Sequence, residues 1–261
     1  MNPKKTNVIC VVNHKGGSGK TSISGGLISS LGEMGYKVLG IDGCGQMNLT
    51  RSMGFQKDSN KSFYSAMIYG VDLADCIQKA EYFDFIIADE AMVSLDMELF
   101  TMIEREWILS RKLTPIRKSQ EYDFIIIDTN PTLGMTNFNI MVASDWMFIP
   151  IELSTFGIDG LGNLLDFYNN VKLVKSELEI LGAVLNKVDM REGITKDAIE
   201  VIGEFFGDIV MDTKIRVDTK VKRAQWEGVP LSLFSKDSRA SKELAELSRE
   251  VVKRVKDKEK G

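Results

Sequence analysis

Cysteine is scarce in this chain of 261 residues, and its three copies, Cys10, Cys44 and Cys76, stand far apart. None of them has paired metal-ligand spacing. That argues against zinc and iron–sulfur clusters and fits a reducing cytoplasm. The single histidine, His14, reads as a loop residue rather than a catalytic base. Five prolines are spread thinly, with no Pro/Ser-rich linker, internal repeat or low-complexity segment. No run of about 18 apolar residues occurs, so no membrane span is expected. The first residues, Met-Asn-Pro-Lys-Lys-Thr, form no apolar signal stretch, so secretion is not expected. The rest is ordinary for a globular protein: 44% apolar and 27% charged residues, enough for a well-buried core.

The densest signal lies in residues 8–22, Val-Ile-Cys-Val-Val-Asn-His-Lys-Gly-Gly-Ser-Gly-Lys-Thr-Ser. Val8 to Val12 reads as a buried strand. Gly16, Gly17 and Gly19 follow, then Lys20 and Thr21. A helical pattern comes next, with Ile23, Leu27, Ile28, Leu31 and Met34 on one face. Strand, glycine loop and helix together make a phosphate-binding loop. The glycines let backbone N–H groups turn inward around an anion, and the helix N-terminus adds its positive end. Gly16, Gly17, Ser18, Gly19 and Ser22 are expected to bind nucleotide, Lys20 to hold the outer phosphates and Thr21 to ligate Mg2+.

Lys37 to Asp42 reads as a second buried strand ending in a carboxylate. Strand–helix–strand in this order implies a right-handed parallel unit. Ligands sit at the carboxyl ends of such strands, which brings Asp42 near the phosphates as a catalytic candidate. The alternative is an Asp that caps a helix in the next loop. Residues 43–60 read as a loop. Helices are expected over 63–69 and 73–80, a strand over 82–88, and helical periodicity from Met92 to Leu113. Residues 122–131, Tyr-Asp-Phe-Ile-Ile-Ile-Asp-Thr-Asn-Pro, form an apolar strand closed by Asp128, the Walker B pattern, whose carboxylate orients magnesium. Further strands are expected over 146–151, 180–185 and 209–211. Helices fit 137–143, 158–173, 196–206 and 238–255. The expected architecture is a single α/β domain over 1–261: a doubly wound, mostly parallel sheet with helices on both faces, a P-loop NTPase.

The loop departs from the common pattern. The position five before Gly19 is His14 rather than glycine, and Lys15 stands beside the loop. Lys-Gly-Gly-x-Gly-Lys-Thr is the deviant Walker A loop, and it resembles the ParA/MinD group of nucleotide-switched dimers. Residues 122–134 resemble the ParA-type signature in which Pro131 follows the Walker B strand. Pro150 with Gly157 and Gly160, and Ala224 to Leu231, resemble later ParA-type segments. The nitrogenase iron protein, a distant relative of the group, needs cysteines after residue 76 that this chain lacks.

The resemblance implies an ATPase using ATP and Mg2+ that forms a homodimer around two nucleotides. Lys15 would cross to the partner's nucleotide, leaving it without a role in its own subunit. The dimer would bind double-stranded DNA non-specifically, and a ParB-like activator would reset it. Plasmid or chromosome partition follows, in a cytoplasmic, nucleoid-associated setting. Lys15, Asp42 and Asp128 are the catalytic candidates, with Thr21 and Asp128 at the metal. The family reads Asp-x-Asp-Pro-Gln after the second strand, whereas residues 42–46 here are Asp-Gly-Cys-Gly-Gln. Cys44 replaces the second carboxylate, which the family associates with the attacking water, so slow hydrolysis is expected.

Asn186-Lys187-Val188-Asp189 matches the guanine-reading motif of GTPases. The competing match aligns Asp189 and Arg191 with the family's Asp-x-Arg and puts Asn186 on adenine. ATP is favoured over GTP. Residues 201–261 carry 14 lysines and arginines against 11 carboxylates, although the whole chain is −4. Lys214, Arg216, Lys220, Lys222 and Arg223 concentrate that surplus, and Lys220, Lys222 and Arg223 are the DNA-binding candidates. Two alternatives remain open. One is a nucleotide-locked scaffold or positioning protein with little ATPase activity. The other is MinD-like membrane cycling, for which the tail from Val251 offers only a weak anchor.

Overall fold

A computed structural model describes residues 5–152, 159–189, 200, 202–204 and 206–260. Apolar runs bounded by glycine and carboxylates become strands, as buried parallel strands do. They are β1 (Asn7–Val11), β2 (Val38–Asp42), β3 (Gln78–Lys79), β4 (Asp84–Ile86), β5 (Phe124–Asp128), β6 (Trp146–Glu152), β7 (Glu179–Val188) and β8 (Ile215–Arg216). They form one sheet in the order β3-β4-β2-β5-β1-β6-β7-β8. All neighbours are parallel except β3 and β4. The doubly wound, mostly parallel P-loop NTPase sheet expected from the sequence is therefore present.

Alternation along each strand divides the interior in two. Val8, Cys10, Ile125 and Ile127 face one core, while Ile9, Val11, Phe124 and Ile126 face the other. The second core is closed by α1 (Lys20–Glu33), whose Ile23, Leu27, Ile28 and Leu31 are buried as its period predicts. Met34 ends the helix as its cap and is only half-buried.

Several elements differ from expectation. Residues 43–60 contain a helix, α2 (Asn48–Ser52). After α3 (Phe63–Ile68), residues 73–80 hold a short 3-10 turn, Leu73–Cys76, and then β3. The periodic stretch 92–113 is not one helix. It breaks into α4 (Leu95–Phe100) and α5 (Ile108–Ser119), with Glu104 between them at a φ of 50°. Residues 209–211 make only an isolated bridge from Val210 to Ala183, and the last strand, β8, lies further on. The expected 196–206 helix falls largely outside the described residues, as does Gly157. Further α-helices among the described residues are α6 (Met135–Val142), α7 (Asp159–Val174), α8 (Thr219–Glu227), α9 (Leu231–Phe234) and α10 (Arg239–Lys258). No helix among the described residues is long and apolar enough to cross a membrane.

Candidate functional site

The loop after β1 is fastened before it turns. Asn13 is buried; its Nδ2 donates to the Pro150 carbonyl at 2.6 Å, and its Oδ1 accepts from the Lys15 N–H at 2.9 Å. Gly17 and Gly19 then take φ values of 81° and 92°, a region that favours glycine. Gly19 is required twice over, because a Cβ there would sit 1.9 Å from Asn186 Nδ2. That amide donates to the Ser18 carbonyl at 2.9 Å, so Asn186 braces the loop. With Gly19 as its cap, α1 starts at Lys20 without an acid in its first turn. Its free N–H groups and dipole are left for an anion. Lys20 is 7% exposed, and its Nζ donates to the carbonyls of Asn13 at 3.0 Å and Lys15 at 3.5 Å. Burial lowers its pKa. Both partners are neutral, so its charge is not cancelled by them.

Two carboxylates stand at the ends of neighbouring strands. Asp42 and Asp128 are register partners of β2 and β5, and both are fully buried. Asp128 accepts from Thr21 Oγ1 at 2.8 Å and Ser24 Oγ at 3.0 Å. Those hydroxyls are three residues apart and so share one face of α1. Burial first, and then the Asp42 charge, push the Asp128 pKa up to about 7.

Asp42 is used differently. One oxygen accepts from the Cys44 N–H at 3.0 Å, and the other accepts from the N–H and hydroxyl of Thr50, both at 2.8 Å. Met47, the cap residue of α2, offers no side-chain acceptor. Asp42 replaces it from the strand end, beside Asp128. The helix-capping alternative describes its contacts. Cys44 does reach the cleft, 5% exposed, and burial pushes its thiol up to about 11. It is a neutral thiol at ordinary pH.

The cleft above the loop measures 680 Å³. Loop glycines, Lys20, Thr21 and Ser22 form its floor; Cys44, Pro131, Glu152 and Lys187 line its rim; Ile215 to Asp218, Lys222 and Gln225 close the far side. Gln225 Nε2 donates to Ser22 Oγ at 3.0 Å, tying α8 to α1. His14 is an exposed loop residue with Nδ1 3.2 Å from the Pro131 carbonyl. A larger groove of 1080 Å³, around Asn7, Arg117 and Glu259, lies at the other end of the strands and has cations but no glycine loop in its lining.

Lys15 does have an ion partner within its own chain, where the loop alone suggested none. Its Nζ lies 3.9 Å from Glu152 Oε2. Lys187 shares that carboxylate at 3.3 Å and donates to the Gly17 carbonyl at 2.5 Å.

Lys220, Lys222 and Arg223 are exposed on α8, while Arg216 is committed to an ion pair with Glu243. Lys222 also lines the cleft, so it stands between the cleft and the outer surface. Trp226, 89% exposed on the same helix, is an addition to that surface. Asn13, Ser24, Glu152, Lys187 as a loop contact, and Gln225 were not singled out by sequence. Only Ser24 had a usable signal, its spacing from Thr21.

A model of the AAA domain family matches residues 6–180. The sporulation initiation inhibitor protein Soj of Bacillus subtilis is 33% identical over 252 residues, covering 94% of this chain and 98% of Soj. The chromosome partitioning protein ParA of Caulobacter vibrioides is 29% identical over 263 residues, covering 99% and 98%. A solved complex of Cyanothece McdA with ATP has a TM-score of 0.84 at 22% identity, covering 95% of this chain and 97% of that one. That last likeness is one of fold.

Proposed function

The chain belongs to the AAA domain family as a ParA-type member, and from that premise we propose an ATP-dependent switch that partitions plasmids or chromosomes. It is a P-loop ATPase whose cofactors are ATP and Mg2+. One observation carries the reading: Thr21 and Ser24 converge on buried Asp128 beside Lys20 and the open N-terminus of α1. Hydroxyl and carboxylate oxygens are the hard donors that magnesium prefers. A carboxylate whose pKa burial has raised also gains most from a cation. Thr21 and Asp128 would hold the metal, which supplies charge neutralisation on the phosphates. Lys20 contributes fixed positive charge there, and the backbone of residues 16–19 orients the phosphates. Asn186 keeps the loop in shape and serves the nucleotide indirectly.

The dimer, the DNA and the activator belong to the same reading. Lys15, beside the loop and next to Glu152 of the cleft lining, supports a nucleotide-bridged homodimer. The exposed lysines and arginine of α8 support non-specific DNA binding, which implies a nucleoid-associated cytoplasmic protein. A ParB-like protein as activator follows from kinship with ParA. MinD-like membrane cycling is disfavoured because Leu244, Leu247, Val251, Val252 and Val255 of α10 are buried in the core. A second reading, a nucleotide-held scaffold with little turnover, is favoured by Cys44. A neutral thiol accepts a hydrogen bond from water poorly where a carboxylate would accept it well.

Turnover with ATP and GTP, with and without duplex DNA, tests the proposal. ATP should be hydrolysed slowly and preferred over GTP, and Lys20→Ala should lose nucleotide. Undiminished ATP binding by Lys20→Ala would show that the loop is not the nucleotide site.

A further inference from the structure

Glu152 ends β6 directly opposite Asn186 of β7, so the next residue of β7, Lys187, comes up beside it. Lys187 has a φ of 55°, an uncommon backbone for a side-chain-bearing residue, at an irregularity near the end of β7, and its amine reaches the loop from there. The Glu152 carboxylate lies between Lys187 Nζ at 3.3 Å and Lys15 Nζ at 3.9 Å. Both charges sit over the bare face of Gly17, where a Cβ would be 3.9 Å from Glu152 Oε2 and from Lys187 Nζ. A carboxylate thus stands on the rim of a cleft whose floor is built to hold phosphate. It is half-buried, with its side chain 25% exposed, so solvent screens it only in part.

We infer that Glu152 is a latch on Lys15: it holds the lysine within its own subunit and yields it when a nucleoside triphosphate enters. This rests on the proposed role of Lys15 across a dimer. Reaching for a phosphate of the partner subunit would draw the amine of Lys15 away from Glu152, 3.9 Å off in the single chain. An incoming triphosphate is anionic, attracts Lys15 and Lys187, and repels Glu152. Charge of one sign therefore both opens the latch and receives the freed lysine. Glu152 is a positioning residue, acting through Lys15 and touching no reacting atom.

Glu152→Gln keeps the shape and removes the charge. Sedimentation velocity across an ATP titration in Mg2+ reads the result for wild type, Glu152→Gln, Lys15→Ala and the double variant. Glu152→Gln should lower the ATP concentration at half-dimerisation at least threefold. The double variant should stay monomeric like Lys15→Ala, because the latch acts only through that lysine. An unchanged or raised midpoint in Glu152→Gln, beside a normally dimerising wild type, overturns the latch alone. So does a double variant that dimerises. A wild-type chain that remains monomeric at saturating ATP overturns the dimer reading, and the latch with it.

Discussion

Asp128 is held by two hydroxyls yet stays hard to ionise, and this gives it a measurable cost. Its pKa of about 7 lies above the 3.8 of an ordinary Asp. Between those values the folded chain keeps a proton that the unfolded chain has released. Stability from this group is therefore fullest below about pH 4 and is lost as pH rises through about 7. At about 1.4 kcal/mol per pKa unit, the loss is on the order of a few kcal/mol. In nucleotide-free, chelator-treated protein, Asp128→Asn should melt several degrees above wild type at pH 8, at about 2–4 °C per kcal/mol. At pH 5 the gap should shrink by more than half, and it should close only below about pH 4. Equal melting at both pH values would mean that Asp128 ionises without penalty. Cys44 poses the opposite trade. Cys44→Asp adds a third carboxylate near Asp42 and Asp128, so the nucleotide-free chain should lose stability. Single-turnover hydrolysis at saturating ATP should rise by on the order of a hundredfold, the usual worth of one well-placed polar group. A variant no faster than wild type would show that the thiol has no catalytic consequence.

Helix α8 is short, capped by Asp218 through the Lys220 N–H at 3.0 Å, and anchored by buried Ala224. Its lysines and arginine face out, the arrangement that contacts a phosphate backbone rather than base edges. Affinity for duplex DNA should fall steeply with salt, and each lysine removed from a phosphate should flatten the log–log slope by about 0.9. Lys220→Ala/Lys222→Ala should therefore bind more weakly on every sequence, with a shallower slope. An unchanged slope in filter binding would move the DNA surface elsewhere. Elements differed in how well sequence announced them. Strands β1, β2 and β5 were legible because a buried parallel strand is a continuous apolar run, here closed twice by Asp. The stretch 92–113 misled because its period continues through breaks that distant partners impose. Asp96 caps α6 by accepting from the Thr136 N–H at 2.7 Å, and the Arg105 carbonyl accepts from Asn139 at 2.7 Å. Helix α2 was missed because its capping acid, Asp42, lies on another element. Strands β3 and β8 have two residues each and exist only through their neighbours. The loop with Lys20 and Thr21, and Asp128 at the end of its apolar run, were visible because each motif is local, although 107 residues separate Thr21 from Asp128. Glu152 was not, since only the β6–β7 register brings it to the loop.

At the scale of the whole molecule, the sheet gathers five strand ends on one rim. β1 supplies the loop, β5 the carboxylate proposed for magnesium, β2 its buried neighbour, and β6 and β7 the residues that brace and charge the rim. Helices α1 and α10 close the core on the second face, so the apolar side of the last helix is spent on folding. The chain is thereby left with a charged, open cleft edge as its means of responding to nucleotide. On the proposed reading, ATP joins two copies across that edge and Lys15 is the residue that joins them. Size-exclusion chromatography with multi-angle light scattering tests it directly, on wild type, Lys20→Ala and Lys15→Ala with and without Mg2+-ATP. Wild type should pass from monomer to dimer only with ATP. Lys20→Ala should stay monomeric for want of nucleotide, and Lys15→Ala should bind ATP yet stay monomeric. A Lys15→Ala chain that dimerises normally with ATP would contradict the claim.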